Sequence, residues 1–210
     1  MGGLVLAAGA GSRMGHRPKS LLQLEGVSLL ERQLQALLQA GVEERVVVLG
    51  YHANRIQQEA ALSVLATCLV IHPHPEAGHV SSLRMGLQAL PAHLDAVLVA
   101  LADQPLINAQ DVLDLINAFK HRPEGTHMLQ PTVQGLPANP VMFTGAVRMQ
   151  ILAEHDAMGA RQWQAAHPGG VYRWNTPNTH YRIDVDSEAD RLALQAQTGL
   201  RLVWPEDLGF

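Results

Sequence analysis

The sequence predicts an α/β fold, a mainly parallel sheet flanked by helices. Three observations carry this expectation. Short apolar runs alternate with amphipathic stretches along the chain. Its 210 residues, 47% of them hydrophobic, are enough for one domain with a full core. A Gly-rich turn follows the first apolar run directly, where open α/β sheets bind nucleotides.

In chain order, strands are expected at residues 3–7, 45–49, 67–71, 96–101, 128–131, 141–143, 171–174 and 181–185. Each is a short apolar run bounded by turn-forming or polar residues. Helices are expected between them at 28–40, 55–65, 81–90, 109–119, 145–154, 161–166 and 188–198. The first helix is the clearest, because Leu29, Leu30, Leu34, Leu37 and Leu38 recur at helical spacing and Gly41 follows as a stop. Lys120-His121-Arg122 sits at a helix end, where cations complement the dipole. The segment from Gly199 reads either as an extra strand or as a dimer contact. No repeat, low-complexity tract or domain-separating linker interrupts the pattern, so the economical reading is one domain over residues 1–210.

Composition excludes several classes. A net charge of -4 with 15 scattered Lys and Arg lacks the clustered basic footprint of a nucleic-acid protein. No apolar run reaches the roughly 20 residues needed to cross a bilayer. The first strand begins almost at Met1, so a signal peptide is not expected, and Leu6 stands where a myristoylation signal has Ser or Thr. The lone Cys68 has no internal disulfide partner and reads as a small buried hydrophobe. A cytoplasmic, reducing location is the expectation.

The strongest local signal is Leu6-Ala7-Ala8-Gly9-Ala10-Gly11-Ser12-Arg13-Met14-Gly15, followed by Pro18-Lys19. Small residues after a buried strand let the backbone approach a ligand closely and turn its N–H groups toward it. Spacing excludes two rival motifs. Met14 stands where the dinucleotide fingerprint has its third glycine, and Pro18 precedes Lys19 where a P-loop has glycine. What remains is a Gly-rich loop with two cations, Arg13 and Lys19, suited to neutralising a triphosphate. The second signal is Asp103, at the end of the apolar run 97–102 and hence at the same edge of the sheet. A magnesium site shared with phosphates uses one or two carboxylates. Asp184 and Asp186 offer further carboxylates, on one face if the segment is a strand. Asp186 also reads as the N-cap of the final helix.

Two other constellations are weaker. His72-Pro73-His74-Pro75 with His79 lacks the fixed ligand spacing of a zinc site and reads as a loop covering the acceptor site. Gly11-Ser12-Arg13 lacks the G-x-S-x-G pattern of a hydrolase elbow.

Taken together, these segments resemble the MobA-like NTP transferase family, and within it the molybdenum cofactor cytidylyltransferases. Besides the first loop with Pro18-Lys19-Ser20-Leu21-Leu22, the resemblance rests on residues 78–84, Ala102-Asp103-Gln104-Pro105, residues 137–143, Gly159-Ala160-Arg161-Gln162 and Asp184-Val185-Asp186-Ser187. It implies a Rossmann-like three-layer nucleotidyltransferase fold. It also implies nucleotide contacts from Leu6, Ala7, Ala8, Gly9, Gly11, Ser12, Arg13, Lys19 and Asp103, with Lys19, Arg13 and Asp103 catalytic. Asp103 would hold Mg²⁺ with Asp186 as its partner, Asp184 being the alternative. Acceptor contacts would come from Ser82, Gln104, Asn139 and Arg161. Ala7-Ala8-Gly9 is similar to the cytidine-type loop, whereas guanylyltransferases of the family usually read Ala-Gly-Gly; this implies CTP and molybdopterin as substrates, with a recipient molybdoenzyme or its chaperone as a partner. The chain departs from the family at Ala138-Asn139-Pro140, often Gly-His-Pro, and at Ser187-Glu188-Ala189 after Asp186, commonly Thr-Pro-Glu. The alternatives are GTP or another phosphorylated acceptor such as a sugar phosphate, and a module that binds nucleotide or cofactor without turnover.

Overall fold

The computed structural model describes residues 1–154 and 158–205. The chain begins with β1 (Gly2–Ala7), crosses a small hairpin of β2 (Gln23–Leu24) and β3 (Val27–Ser28), and enters α1 (Leu29–Gln39). There follow β4 (Glu44–Leu49), α2 (Ala53–Glu59), α3 (Leu62–Leu65), β5 (Cys68–Ile71), α4 (His79–Ala89), β6 (Ala96–Leu101) and α5 (Ala109–Lys120). The second half holds β7 (Met128–Val133), β8 (Leu136–Pro137), β9 (Val141–Thr144), α6 (Gly145–Ala153), α7 (Ala160–Ala166), β10 (Val171–Asn175), α8 (Glu188–Thr198) and β11 (Leu202–Val203).

The main sheet runs β10-β7-β9-β6-β1-β4-β5, with β8 paired to β7. β1, β4, β5 and β6 are mutually parallel, whereas β9 runs antiparallel to both β6 and β7. That reversal matters for the site. Val141, where β9 begins, pairs with Val99 near the end of β6, so the entry to β9 reaches the edge where β1 and β6 end.

Strand alternation builds the layers. Val5, Val47 and Leu98 face one way and pack with Leu30, Leu34 and Leu37 of α1 and Leu115 and Ile116 of α5. Leu4, Val46, Val48 and Val97 face the other way, against Leu83 and Leu87 of α4 and Val147 and Ile151 of α6. The result is the expected three-layer nucleotidyltransferase-type α/β arrangement. α1 starts where its sequence says: Ser28 and Glu31 form a reciprocal capping box. A third cluster joins Leu22, Leu24, Val185, Leu194 and Leu202. Its small sheet, β11-β2-β3, gives the segment after Gly199 its place as an added strand.

Three expectations are corrected. Residues 181–185 are not a strand: a 3-10 turn spans Thr179–Arg182. The Asn178 side chain accepts from the His180 N–H, and the Tyr181 hydroxyl donates to the Asp111 carbonyl, so local bonds pull this segment out of any ladder. The helix expected over 55–65 is two short helices, α2 and α3, separated at Ala60 and Ala61. Cys68 is half-buried rather than buried. At the end of α5 the His121 ring lies 2.9 Å from the Asn117 carbonyl, and Arg122 donates to that of Phe119.

α4 and α6 also cap each other. Arg148 of α6 is buried and donates to the Leu87, Leu90 and Pro91 carbonyls at the end of α4. Arg84 of α4 donates to the Ile151, Leu152 and Glu154 carbonyls at the end of α6. These are charge-assisted bonds to orphan helix carbonyls. Replacing Arg148 with Ala leaves the Leu87, Leu90 and Pro91 carbonyls without this donor. A loss of about 2–4 kcal/mol in unfolding free energy is expected, read from the urea midpoint at constant m-value.

Candidate functional site

A cavity of about 780 Å³ opens at the edge of the sheet where β1 and β6 end. Its floor is the β1 loop and Asp103. Gly11 fixes the path of that loop: it sits at φ 63°, and a Cβ there would collide with the Arg17 carbonyl. The Gly11 carbonyl in turn accepts from the Met14 and His16 N–H groups at 2.8 and 3.0 Å. Met14 anchors the loop in the third core cluster. The chain then passes through Pro18 and delivers Lys19 at the start of a second 3-10 turn.

Lys19 is the hub. Its Nζ lies 2.9 Å from Asp103 Oδ2 and 2.5 Å from Asp186 Oδ1. Arg13 reaches the other oxygen of Asp186, Nη2 to Oδ2 at 2.6 Å. Burial works against the Lys19 ammonium, but the Asp103 and Asp186 carboxylates outweigh it and hold its pKa above the ordinary value. Burial likewise favours protonated Asp186, yet hydrogen bonding and charge from Lys19, then Arg13, hold its carboxyl below the usual range. Asp184 shows the opposite outcome: burial, then the negative charges of Asp103 and Asp186, push it up.

The segment bearing the late aspartates is tied to β6 by two devices. The Val185 N–H donates to the Asp103 carbonyl at 2.9 Å. Gln104, next in the chain, donates from Nε2 to the carbonyls of both Asn139 and Tyr181. Ser187, not Asp186, caps α8, through a box with Asp190. Asp186 therefore keeps its carboxylate for the cavity.

Of the residues singled out in the sequence, Leu6, Ala7, Ala8, Gly9, Lys19, Ser82, Asp103, Asn139, Arg161, Asp184 and Asp186 line the cavity. Four stand elsewhere. Gly11 and Ser12 shape the loop. Arg13 has a side chain 69% exposed and meets the cluster from outside. Gln104 is buried behind the wall, and its bonds to backbone replace the acceptor contact expected of it. Pro75 and His79 of the His-rich loop line the space too, as do Tyr51, Glu76, Gln130 and Gln164, which the sequence did not single out. Burial, followed by the charge of Arg161, holds the His79 pKa below the ordinary value. Gln130 sits within a strand and meets Gln164 at 2.8 Å; nothing in the local sequence marks that pair.

The donor set suits a divalent ion that arrives with phosphates. Asp103 Oδ1 is buried without a hydrogen-bond partner, and its Oδ2 meets Lys19. No group of three or more His, Cys, Asp or Glu poised to hold a metal occurs among the described residues. Asp103 and Asp186, joined through Lys19, are the carboxylates here that could contribute to such a site, with remaining positions left to water and phosphate oxygens.

A Gly-rich loop over a parallel sheet edge, with a lysine and carboxylates at its mouth, defines a nucleotidyltransferase-type site. The chain belongs to the MobA-like NTP transferase domain family, whose model matches residues 3–171. Asp184 and Asp186 lie beyond that match. The chain is 37% identical over 135 residues to the bifunctional protein GlmU of Mycobacterium ulcerans, covering 62% of this chain and 27% of that one. It is 38% identical over 122 residues to nicotine blue oxidoreductase of Paenarthrobacter nicotinovorans, covering 58% and 57%. The chain thus spans between about a quarter and just over half the length of these relatives. In fold it is similar to Rv0371c of Mycobacterium tuberculosis, with a TM-score of 0.75 at 24% identity over 92% of this chain and 96% of that one. No helix among the described residues is long and apolar enough to cross a membrane.

Proposed function

We propose that this protein is a cytoplasmic cytidylyltransferase, moving CMP from CTP to the terminal phosphate of molybdopterin. An oxygen of the acceptor phosphate attacks the α-phosphorus in line. The bond to the β-phosphate breaks, and pyrophosphate leaves with its electron pair. The observation that carries the reading is Lys19 held between Asp103 and Asp186 at the centre of the cavity, where charge grows during phosphoryl transfer. Lys19 and the loop N–H groups hold the triphosphate, and Arg13 supports Asp186. Asp103 and Asp186 hold Mg²⁺, which when bound neutralises phosphate charge.

Charge distribution supports an assignment of the two ends of the cavity. Toward β4 and β5 it is walled by Ala8, Tyr51 and Pro75, with Glu76 as the carboxylate there. Toward β9 and β7 it offers Asn139, Gln130, Gln164 and the cation Arg161. An anionic acceptor suits the second end, leaving the nucleobase for the first. Ala8 belongs to the base end, because a Cβ at Gly50 would come within 2.9 Å of both Ala8 Cβ and Pro75 Cβ. Its methyl narrows that end against a purine. CTP is therefore expected to be preferred over GTP, and Ala8→Gly to relax the preference by about 1–3 kcal/mol. Comparable kcat/KM for both nucleotides in the wild type would refute the base assignment.

The test of the function is pyrophosphate release over a panel of nucleotides and acceptors. Turnover with CTP and molybdopterin supports the proposal. Turnover with a sugar phosphate alone would move the acceptor to the second reading. Saturation at one equivalent without turnover would make the chain a binding module that delivers to a molybdoenzyme.

A further inference from the structure

The two carboxylates assigned to the divalent ion share a cation that belongs to the chain itself. One ammonium closes both carboxylates: Lys19 Nζ contacts Asp103 Oδ2 at 2.9 Å and Asp186 Oδ1 at 2.5 Å. We infer that Lys19 is a resident stand-in for the metal, barring the ion from the free protein until a nucleoside triphosphate draws the ammonium away. The inference rests on the two-carboxylate seat of the proposed function and adds an order to it: metal enters with nucleotide, not before.

Three features support this. First, the fit is close. A Mg²⁺–oxygen separation of about 2.0–2.1 Å requires each carboxylate oxygen to close in by less than about 1 Å. The ion and the ammonium therefore compete for one volume and do not sit side by side. Secondly, the local charge is balanced only with Lys19 in place. Lys19 and Arg13 together offset Asp103 and Asp186. A divalent ion added to that set meets two cations at short range, whereas the same ion without Lys19 meets open carboxylates, with Asp184 a third nearby. Thirdly, no other oxygen of Asp103 is open to an entering ion: Oδ1 is buried, so the oxygen that remains for the ion is Oδ2, which the ammonium already holds.

The release mechanism follows from the same residues. Lys19 carries its charge on a flexible four-carbon stem, and its side chain, 18% exposed, lines the cavity. Triphosphate oxygens entering over the Gly-rich loop offer that ammonium a denser negative charge than two carboxylates shared with Arg13. As it turns to them, the seat opens beside the phosphates that complete the ion's shell. Lys19 thus couples nucleotide arrival to metal arrival, and it excludes a free metal ion from an empty site.

The experiment titrates Mn²⁺ into the whole chain without nucleotide and reads free Mn²⁺ by electron paramagnetic resonance. Lys19→Met and Lys19→Gln are compared with wild type, each checked for a native circular-dichroism spectrum. Both neutral variants are expected to bind one Mn²⁺ at least tenfold more tightly than wild type. A non-hydrolysable CTP analogue is expected to tighten Mn²⁺ binding to wild type by a similar factor, and by much less in the variants. Wild-type Mn²⁺ affinity equal to that of the variants, or no gain on adding the analogue, would overturn the inference. That failure is separable from failure of the proposed function, because turnover of CTP by the wild type is read independently as pyrophosphate.

Discussion

Replacing Lys19 with Ala is expected to lower kcat by roughly 10²-fold or more while the melting temperature moves by only a few degrees. The two halves of this expectation come from different observations. Activity falls because Lys19 is the cation at the centre of the cavity, 2.9 Å from Asp103 and 2.5 Å from Asp186, where the transferring phosphoryl group develops charge. Stability changes little because the side chain lines an open cavity, where it makes ion pairs, and belongs to none of the hydrophobic clusters. The loss of its charge leaves two carboxylates facing each other, but Arg13 still offsets Asp186. Steady-state kinetics alongside a thermal melt separates the two halves. Full activity in Lys19→Ala would make the residue a surface charge and sink the site assignment. The same substitution is expected to raise metal affinity in the free protein, so activity and metal binding move in opposite directions.

Much of this architecture is written in local pattern. The alternation in β1 that sends Leu4 and Leu6 to one core and Val5 to the other is visible as sequence. So is the start of α1, where Ser28 and Glu31 stand three apart. Lys19 and Asp103 are legible because small residues after one apolar run and a carboxylate after another must meet where parallel strands end together. What was not legible depends on contacts that no spacing encodes. The direction of β9 decides that Asn139 reaches the site, and a reversed strand looks the same in sequence. Residues 181–185 carry strand-like alternation, yet the buried Asp111 carboxylate receives Asn178 and His180 and holds the preceding loop as a turn. Gln104 adjoins Asp103 and so invites a ligand role; its burial against the Asn139 and Tyr181 carbonyls is a tertiary fact. Asp186 resembles a helix cap one residue too early, and Ser187 takes that duty.

That last correction sharpens the comparison of the aspartates. Asp103→Asn is expected to lower kcat/KM by roughly 10²-fold and to raise the Mg²⁺ concentration needed for half-maximal activity. Asp186→Asn is expected to do the same by roughly tenfold. The asymmetry follows from what each carboxylate still has to offer. Among the described residues Asp103 is held by Lys19 alone, through Oδ2, so it is the carboxylate left wholly free when the ammonium turns away, and its amide variant removes that charge. Both oxygens of Asp186 are already engaged, by Lys19 and Arg13, and those cations persist near the seat when the charge is removed. Because Ser187 caps α8, the Asp186→Asn variant leaves the helix start intact, and activity is read there without a stability correction. Asp184→Asn is the control: its carboxyl is held toward the protonated form by burial and by its two acidic neighbours, so loss of its charge is expected to change Mg²⁺ dependence least. A larger metal defect in Asp184→Asn than in Asp186→Asn would transfer the second ligand position to Asp184. Mg²⁺ dependence unchanged in Asp103→Asn would remove the metal from this seat altogether.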